Sequence, residues 1–428
     1  MTLLIALLIL LLLLLGAPLF ICLGALAYLL LTSVGLEPQV IAIEIYRITS
    51  SPNLIVIPLF AFAGVLMARS RMPHRMVELA RATFGWLPGG AAIITLLSFE
   101  FFTAFTGASG ISILATGGML YHVLRGAGYS DRFSLGLISS AGSLGVLLPP
   151  SIVIIFYGTL TRAPIDVMFK AGLLPSAVML TVLGGYCLWQ GRLNLSREPF
   201  RLERFREALW AAKLEVPLPL LVLGGIYSGV ITVTEAACVS SVYVLISEVV
   251  VHREIHWRRD LPGVALEAMT LVGAIIVVLG VALGLTNYLV DQGLPERLLE
   301  FSASYITTRV QFLLALNLLL LIAGCLLDVF SALILLVPLV TPLAVQFGVD
   351  PIHLGIIFLA NLEIGYSTPP VGLNLFVSSL TFHRPLPQII RSVVPFVLLL
   401  LVAVLIITFV PWLSTWPVQP TEDLLLAP

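Results

Sequence analysis

Apolar residues run through this chain in long blocks separated by short polar stretches. The block from Leu3 to Leu31 has no charged side chain and exceeds the ~20 residues that cross a bilayer. It lacks the basic start and A-x-A-like site of a cleaved signal peptide, and apolar blocks continue to Phe409, so it reads as a retained membrane segment. Residues 38–50 have the pattern of an interfacial helix. Apolar blocks at 171–189, 214–230, 233–251, 264–286 and 393–413 predict plain spans. Two blocks do not fit a simple crossing. Residues 85–121 have a Gly-rich polar middle, and 310–348 are interrupted from Gly324 to Ser331. Two spans need about 40 residues plus a turn. Each block therefore predicts a re-entrant helical hairpin turning back near the midplane, where irregular backbone is tolerated only under protein or beside water. Two ordinary short spans are the alternative.

The chain also repeats itself. Ser140 to Phe156 aligns with Ala360 to Phe376 at an offset of 220, matching Gly145 with Gly365, Pro149-Pro150 with Pro369-Pro370, and Phe156 with Phe376. A hairpin block precedes each Pro-Pro segment and a plain span follows it. Seventeen of the 22 Lys and Arg fall in 69–81, 125–132, 192–213, 253–259 and 384–391, which places these stretches on the cytoplasmic side. The acidic end, with Glu422 and Asp423, suits the opposite side. The first Pro-Pro segment then runs outward (133–158) and the second inward (352–380), an inverted repeat of the kind secondary transporters use to bind at the midplane. Each proline lacks an N–H and disrupts the helix, which exposes carbonyls suited to Na+ and a half-helix N-terminus suited to an anion. A kink in a packing helix is the plainer reading.

The polar residues at these places are the candidate chemistry. Thr106, Ser109, Ser112 and Thr116 bring neutral oxygens to the first hairpin tip; small-residue helix packing is the alternative. Asp328, in the second tip, is a carboxylate in an apolar run and a candidate cation ligand or structural acceptor. Asn361 and Glu363 precede the second break. Ser143, Ser151 and Asn374 border the breaks and join Thr106, Thr116 and Asn361 as candidate solute contacts. Glu235 follows Thr232 and Thr234 at a helix start, which suggests a cap. Glu100 is undecided. Gly107-Ala-Ser-Gly110 matches the motif of an intramembrane serine protease, but all six histidines lie in or beside predicted loops. His252 and His256 lack the H-E-x-x-H order and read as a solvated helix face, so no transition-metal site is expected.

Composition narrows the class. Hydrophobic residues make up 59% and charged residues 11%, with mean hydropathy +1.09, so lipid is the solvent for most of the chain. The net charge of −1 gives no electrostatic case for nucleic acid. The four cysteines form no C-x-x-C pair and read as packing. There is no P-loop, so ATP is not hydrolysed here.

Several stretches, in order along nearly the whole chain, resemble one family. They are Asn53 to Phe60, Ala141 to Ser151, Gly224 to Ala237, Gly348 to His353 and, most specific, Asn361-Leu-Glu-Ile-Gly-Tyr-Ser-Thr-Pro-Pro-Val-Gly-Leu-Asn-Leu-Phe376. The family is the large membrane subunit of tripartite ATP-independent periplasmic (TRAP) transporters. The resemblance implies an all-α polytopic elevator carrier in the bacterial inner membrane, with Na+ as coupling ion and no cofactor. It implies a small carboxylate solute, such as a C4-dicarboxylate, delivered by an extracytoplasmic binding protein. It also implies a small four-helix membrane subunit as partner. Carried over by motif, the implied Na+ sites are Ser109, Ser112, Gly142, Gly365, Thr368 and Asp328. The first tip lacks the second serine that members often carry after Ser-Gly, and Val233-Thr234 replaces a usual Pro-Thr, which bears on ligand identity rather than fold.

The expected organisation is N-terminal scaffold helices and an arm (1–84), a first repeat (85–189) and a linker with a scaffold helix pair (190–251). A second repeat (252–413) and an acidic tail (414–428) follow. A stand-alone divalent-anion/Na+ symporter is the competing carrier reading, and an intramembrane serine hydrolase the remote one.

Overall fold

The computed structural model describes residues 19–35, 37–50, 52–192, 199–293 and 306–417, and these are helical with no strand among them. The beginning of the first apolar block and the residues Glu422 and Asp423 lie outside the described residues. Helices Leu19–Ser33, Gln39–Thr49, Val56–Arg69 and Val233–Leu245 gather around or beside the long helix Leu261–Asp291. After Arg69 the chain bends by 73° into an amphipathic arm, Met72–Phe84, against which Leu202–Ala211 packs. The expected span 214–230 is helical only over Pro217–Tyr227. Pro217 starts it and left-handed Gly229 closes it, so it rises only about 16 Å, well short of a ~30 Å hydrocarbon core. The capping box at 232–235 uses Thr232, whose hydroxyl accepts from the Glu235 N–H while Glu235 accepts from the Thr232 N–H.

Both hairpins form, a few residues from the sequence estimate in the first case. The first has arms Gly90–Thr106 and Ser109–Gly126, and the second Arg309–Leu326 and Val329–Gln346. Adding 220 to the first pair of ranges gives 310–326 and 329–346, so the repeat extends well beyond the aligned motif. Left-handed Gly107 (φ 63°) turns the first tip, and Asp328 starts the second arm of the other. The first broken helix is Asp131–Ala141 and Ile152–Thr161, the second Pro351–Gly365 and Leu373–Phe382. Both Pro-Pro bonds are cis.

The register of the repeat changes at the second break. From Ser151 onward the offset is 221: Ser151 and Gly372 are N-caps, Arg162 and His383 are left-handed C-caps, and Pro164 and Pro385 begin the next helices. One extra residue sits between Pro370 and Leu373, accommodated at Gly372 (φ 31°). Phe156 is therefore equivalent to Val377, not to Phe376 as the ungapped alignment had it.

The two repeats exchange partners. The second arm of hairpin 1 packs on Leu373–Phe382, and that of hairpin 2 on Ile152–Thr161. Asp131–Ala141 packs on the span Leu386–Phe409, and Pro351–Gly365 on Ile165–Gly191. Ser143 Oγ donates to Glu363 O (3.2 Å), and these residues are related by the offset of 220. A contact between equivalent residues puts the pseudo-two-fold axis between them.

Candidate functional site

The hairpin tips are brought to the breaks by direct backbone packing. A Cβ on Gly145 would lie 2.2 Å from Glu100 O, and one on Gly365 would lie 2.5 Å from the Gly324 backbone. The partners Ala104, also 2.5 Å from the Gly145 position, and Gly324 are again 220 apart. Both tips line one cleft of about 520 Å³, the first through Gly107 to Ile111 and the second through Asp328, Phe330 and Ser331. Tyr366 adds a phenol, and Leu271, Ala274, Ile275 and Val278 of the long helix form an apolar wall. The tips of the two hairpins thus meet at one shared cleft.

At the first tip a buried knot of neutral oxygens forms. Thr103 Oγ1 donates to Gly142 O (2.6 Å) and lies 2.9 Å from Ser112 Oγ, which is 3.0 Å from Thr106 Oγ1. Thr106, Ser112 and Gly142 are thus brought together. Thr103 was missed by sequence reasoning, although it stands one turn before Thr106 on the same helix face. Ser109 Oγ donates to Asn374 Oδ1 (2.7 Å), tying this tip to the second broken helix. Asn374 Nδ2 is buried without a partner.

At the second tip Asp328 accepts from the Ser331 N–H (3.1 Å) and from the Ser331 hydroxyl. Tyr366 OH accepts from the Val329 N–H at 2.6 Å, so the phenol, also unflagged by the sequence, pins this tip to the break. The two helix starts facing the cleft differ. Asp328 caps the second with a carboxylate, whereas the first begins after Ala108 with no side-chain cap. The first-turn N–H groups of a helix have no intrahelical partner, so the Ser109 end presents free donors and the positive end of a dipole to the cleft.

Other predicted residues sit apart from this cleft. Thr116 Oγ1 donates to Ser112 O one turn back, Thr368 Oγ1 donates to Ile364 O, and Ser151 caps its half-helix by accepting from Ile154 N. Ser143 lies on the symmetry axis. Asn361 donates to Asn317 Oδ1 (2.8 Å), which also accepts from Thr408 Oγ1 (3.1 Å), a buried polar network between the second hairpin and the last span. Glu100 accepts from the Ser176 hydroxyl, while both Glu363 oxygens are buried without a partner. Ser109 hydrogen-bonds an amide oxygen rather than a general base, which is not the geometry of an activated nucleophile.

Residues 5–413 match the family described as the tripartite ATP-independent periplasmic transporter, DctM component. The chain is 34% identical over 401 residues to an isethionate TRAP transporter permease protein of Oleidesulfovibrio alaskensis, covering 92% of this chain and 63% of that relative. It thus spans less than two thirds of that relative's length. It is also 34% identical over 380 residues to a C4-dicarboxylate TRAP transporter large permease protein of Pseudomonas aeruginosa, covering 87% of this chain and 88% of the relative. Among solved structures it resembles the YdaH transporter of Alcanivorax borkumensis, with a TM-score of 0.59, 16% identity and 89% of each chain covered, a likeness of fold.

Proposed function

Because this chain belongs to the DctM-component family of tripartite ATP-independent periplasmic transporters, we propose that it imports a small organic acid, delivered by an extracytoplasmic binding protein, at the expense of a Na+ gradient. It is a multi-pass inner-membrane permease and not an enzyme. The cleft shared by two hairpin tips with unequal helix starts supports this role above all. An anionic headgroup fits the uncapped Ser109 end, where N–H donors are unpaired. The Asp328 end already carries its own negative charge. The oxygen knot of Thr103, Thr106, Ser112 and the Gly142 carbonyl has the hard, uncharged donors that suit Na+. The hairpins and broken helices move as one body against the scaffold, an elevator carrying both ligands past the apolar wall. A small four-helix membrane subunit extends that scaffold.

The relatives above are named for isethionate and a C4-dicarboxylate at equal identity, so sequence similarity does not choose the solute. Both are small acids. Uptake into proteoliposomes is therefore expected to require Na+, a cognate binding protein and the small subunit together. Uptake by this chain alone would favour a stand-alone symporter and sink the tripartite reading.

Ala108→Asp would give the first tip the cap that its equivalent Asp328, 220 residues on, gives the second. The helix would gain about 1 kcal/mol of capping, yet the carboxylate would occupy the anion position. Solute affinity should fall at least about tenfold, the ratio given by 1.4 kcal/mol, with expression and folding unchanged. Unaltered affinity in Ala108→Asp, measured by competition uptake, would place the anion elsewhere.

A further inference from the structure

We propose that Glu215, Glu248 and His252 form a binding site for one divalent transition-metal cation of the Zn2+ class, at the root of the arm helix. The site lies away from the transport cleft, where the arm Met72–Phe84 meets the end of the helix Val233–Leu245 and its π-helical extension Ile246–Val251. Here the structure departs from the sequence reading, because residues 252–256 are irregular and do not form a solvated helix face. His252 turns inward instead, with Nε2 3.5 Å from Glu215 Oε1. One ligand atom from each of the three residues lies within 4.8 Å of the others.

Three observations point to a cation. The first is charge. Arg75 is the shared partner of Glu215, Glu248 and Glu254, so three carboxylates meet one guanidinium. The Glu215 and Glu248 side chains are each 1% exposed, and carboxylate charge in excess of the one guanidinium is costly at that burial; a bound cation offsets it. The second is an orphan. Arg75 takes Glu215 Oε1, but Glu215 Oε2 is buried with no partner, and so is His252 Nε2 by hydrogen-bond geometry. The third is spacing. Two ligands on a tetrahedral ion with bonds of about 2.1 Å stand about 3.4 Å apart, inside the 4.8 Å that holds one ligand atom from each of Glu215, Glu248 and His252.

The imidazole selects the metal. One nitrogen with two carboxylates suits Zn2+ or Mn2+ and not Mg2+, which takes oxygen ligands in an octahedron. Glu254 is held elsewhere, with one oxygen on Arg75 and the other accepting the Arg71 N–H at 2.7 Å. Tyr243 and Ser247 beside the cluster are neutral; Tyr243 OH donates to Leu214 O and Ser247 Oγ lies 3.4 Å from Glu248 Oε1. The His252 side chain is 19% exposed and provides the entry edge. That edge is in the basic loop 252–260, on the cytoplasmic side.

The test uses the full chain without a histidine tag, in detergent, stripped with EDTA and then titrated with ZnCl2, MnCl2 or MgCl2. One Zn2+ per chain should bind and raise the unfolding temperature. His252→Gln should weaken binding at least about tenfold, the lower end of what even an outer-shell change costs a metal site. His256→Gln, whose residue contributes nothing to the cluster, should leave binding unchanged. Glu215→Gln should act like His252→Gln; if it fails to fold, the two histidine variants still decide. The proposal is overturned if wild type binds no more Zn2+ than His252→Gln, if His256→Gln loses as much, or if Mg2+ binds equally well.

Discussion

Gly365→Ala should reduce uptake to near background, and Gly145→Ala should do the same. At both positions the added Cβ would fall against the backbone of a hairpin, 2.5 Å from Gly324 and 2.2 Å from Glu100 O, inside the 3.0 Å that real Cβ contacts respect. Backbone cannot rotate away as a side chain can, so hairpin and broken helix must separate. Overpacking a fitted contact costs about 1–3 kcal/mol, occasionally more, and here the strain falls on the element that sets the cleft. Gly365→Ala opens the tip where Tyr366 OH holds the Val329 N–H; Gly145→Ala opens the one where Thr103 holds the Gly142 carbonyl. The control is Gly118→Ala in the first hairpin, where the new Cβ meets nothing within 4 Å and helix propensity improves. Uptake and yield of folded protein should be read side by side. Full uptake by Gly365→Ala would mean that the tip and the break do not touch in the working protein.

That contact shows what was legible beforehand. Gly145 and Gly365 were visible as one repeated position, and the blocks 85–121 and 310–348 as hairpins, because apolar length and a polar interruption are local signals. The Gly324–Gly365 pairing was not visible, since no pattern along the chain says which glycine meets which. The register change at Gly372 was also hidden: one inserted residue leaves Phe156 and Phe376 aligned by letter while the helices shift. Thr103 and Tyr366 escaped because a threonine in a helix and a tyrosine at a break are common in packed interiors, and only a partner reveals their role. The cluster at Arg75 was the least legible. Its members are contributed by residues 75, 215, 248, 252 and 254, and a long-range ionic knot leaves no periodicity.

Arg75→Met should be the most destabilising single change outside the repeats. The guanidinium donates through Nε to Glu215, through Nη1 to Glu254 and through Nη2 to both oxygens of Glu248 at 3.0 and 3.1 Å. Its side chain is 12% exposed, so screening by water is small. Removing the one cation of a buried cluster leaves like charges facing one another, and breaking such a pair from one side costs about 3–5 kcal/mol. Methionine keeps much of the volume, so a packing defect is a minor part of the loss. The arm should detach from the end of the helix that carries Glu248, freeing the 73° bend after Arg69. In EDTA, to exclude metal, the variant should lose the monodisperse peak on gel filtration and be cut by protease within the arm. Adding Glu215→Gln and Glu248→Gln to Arg75→Met should restore part of that stability, since two of the three stranded charges are then gone. If the triple variant were no better than Arg75→Met alone, the cause would be lost packing around residue 75 and not stranded charge.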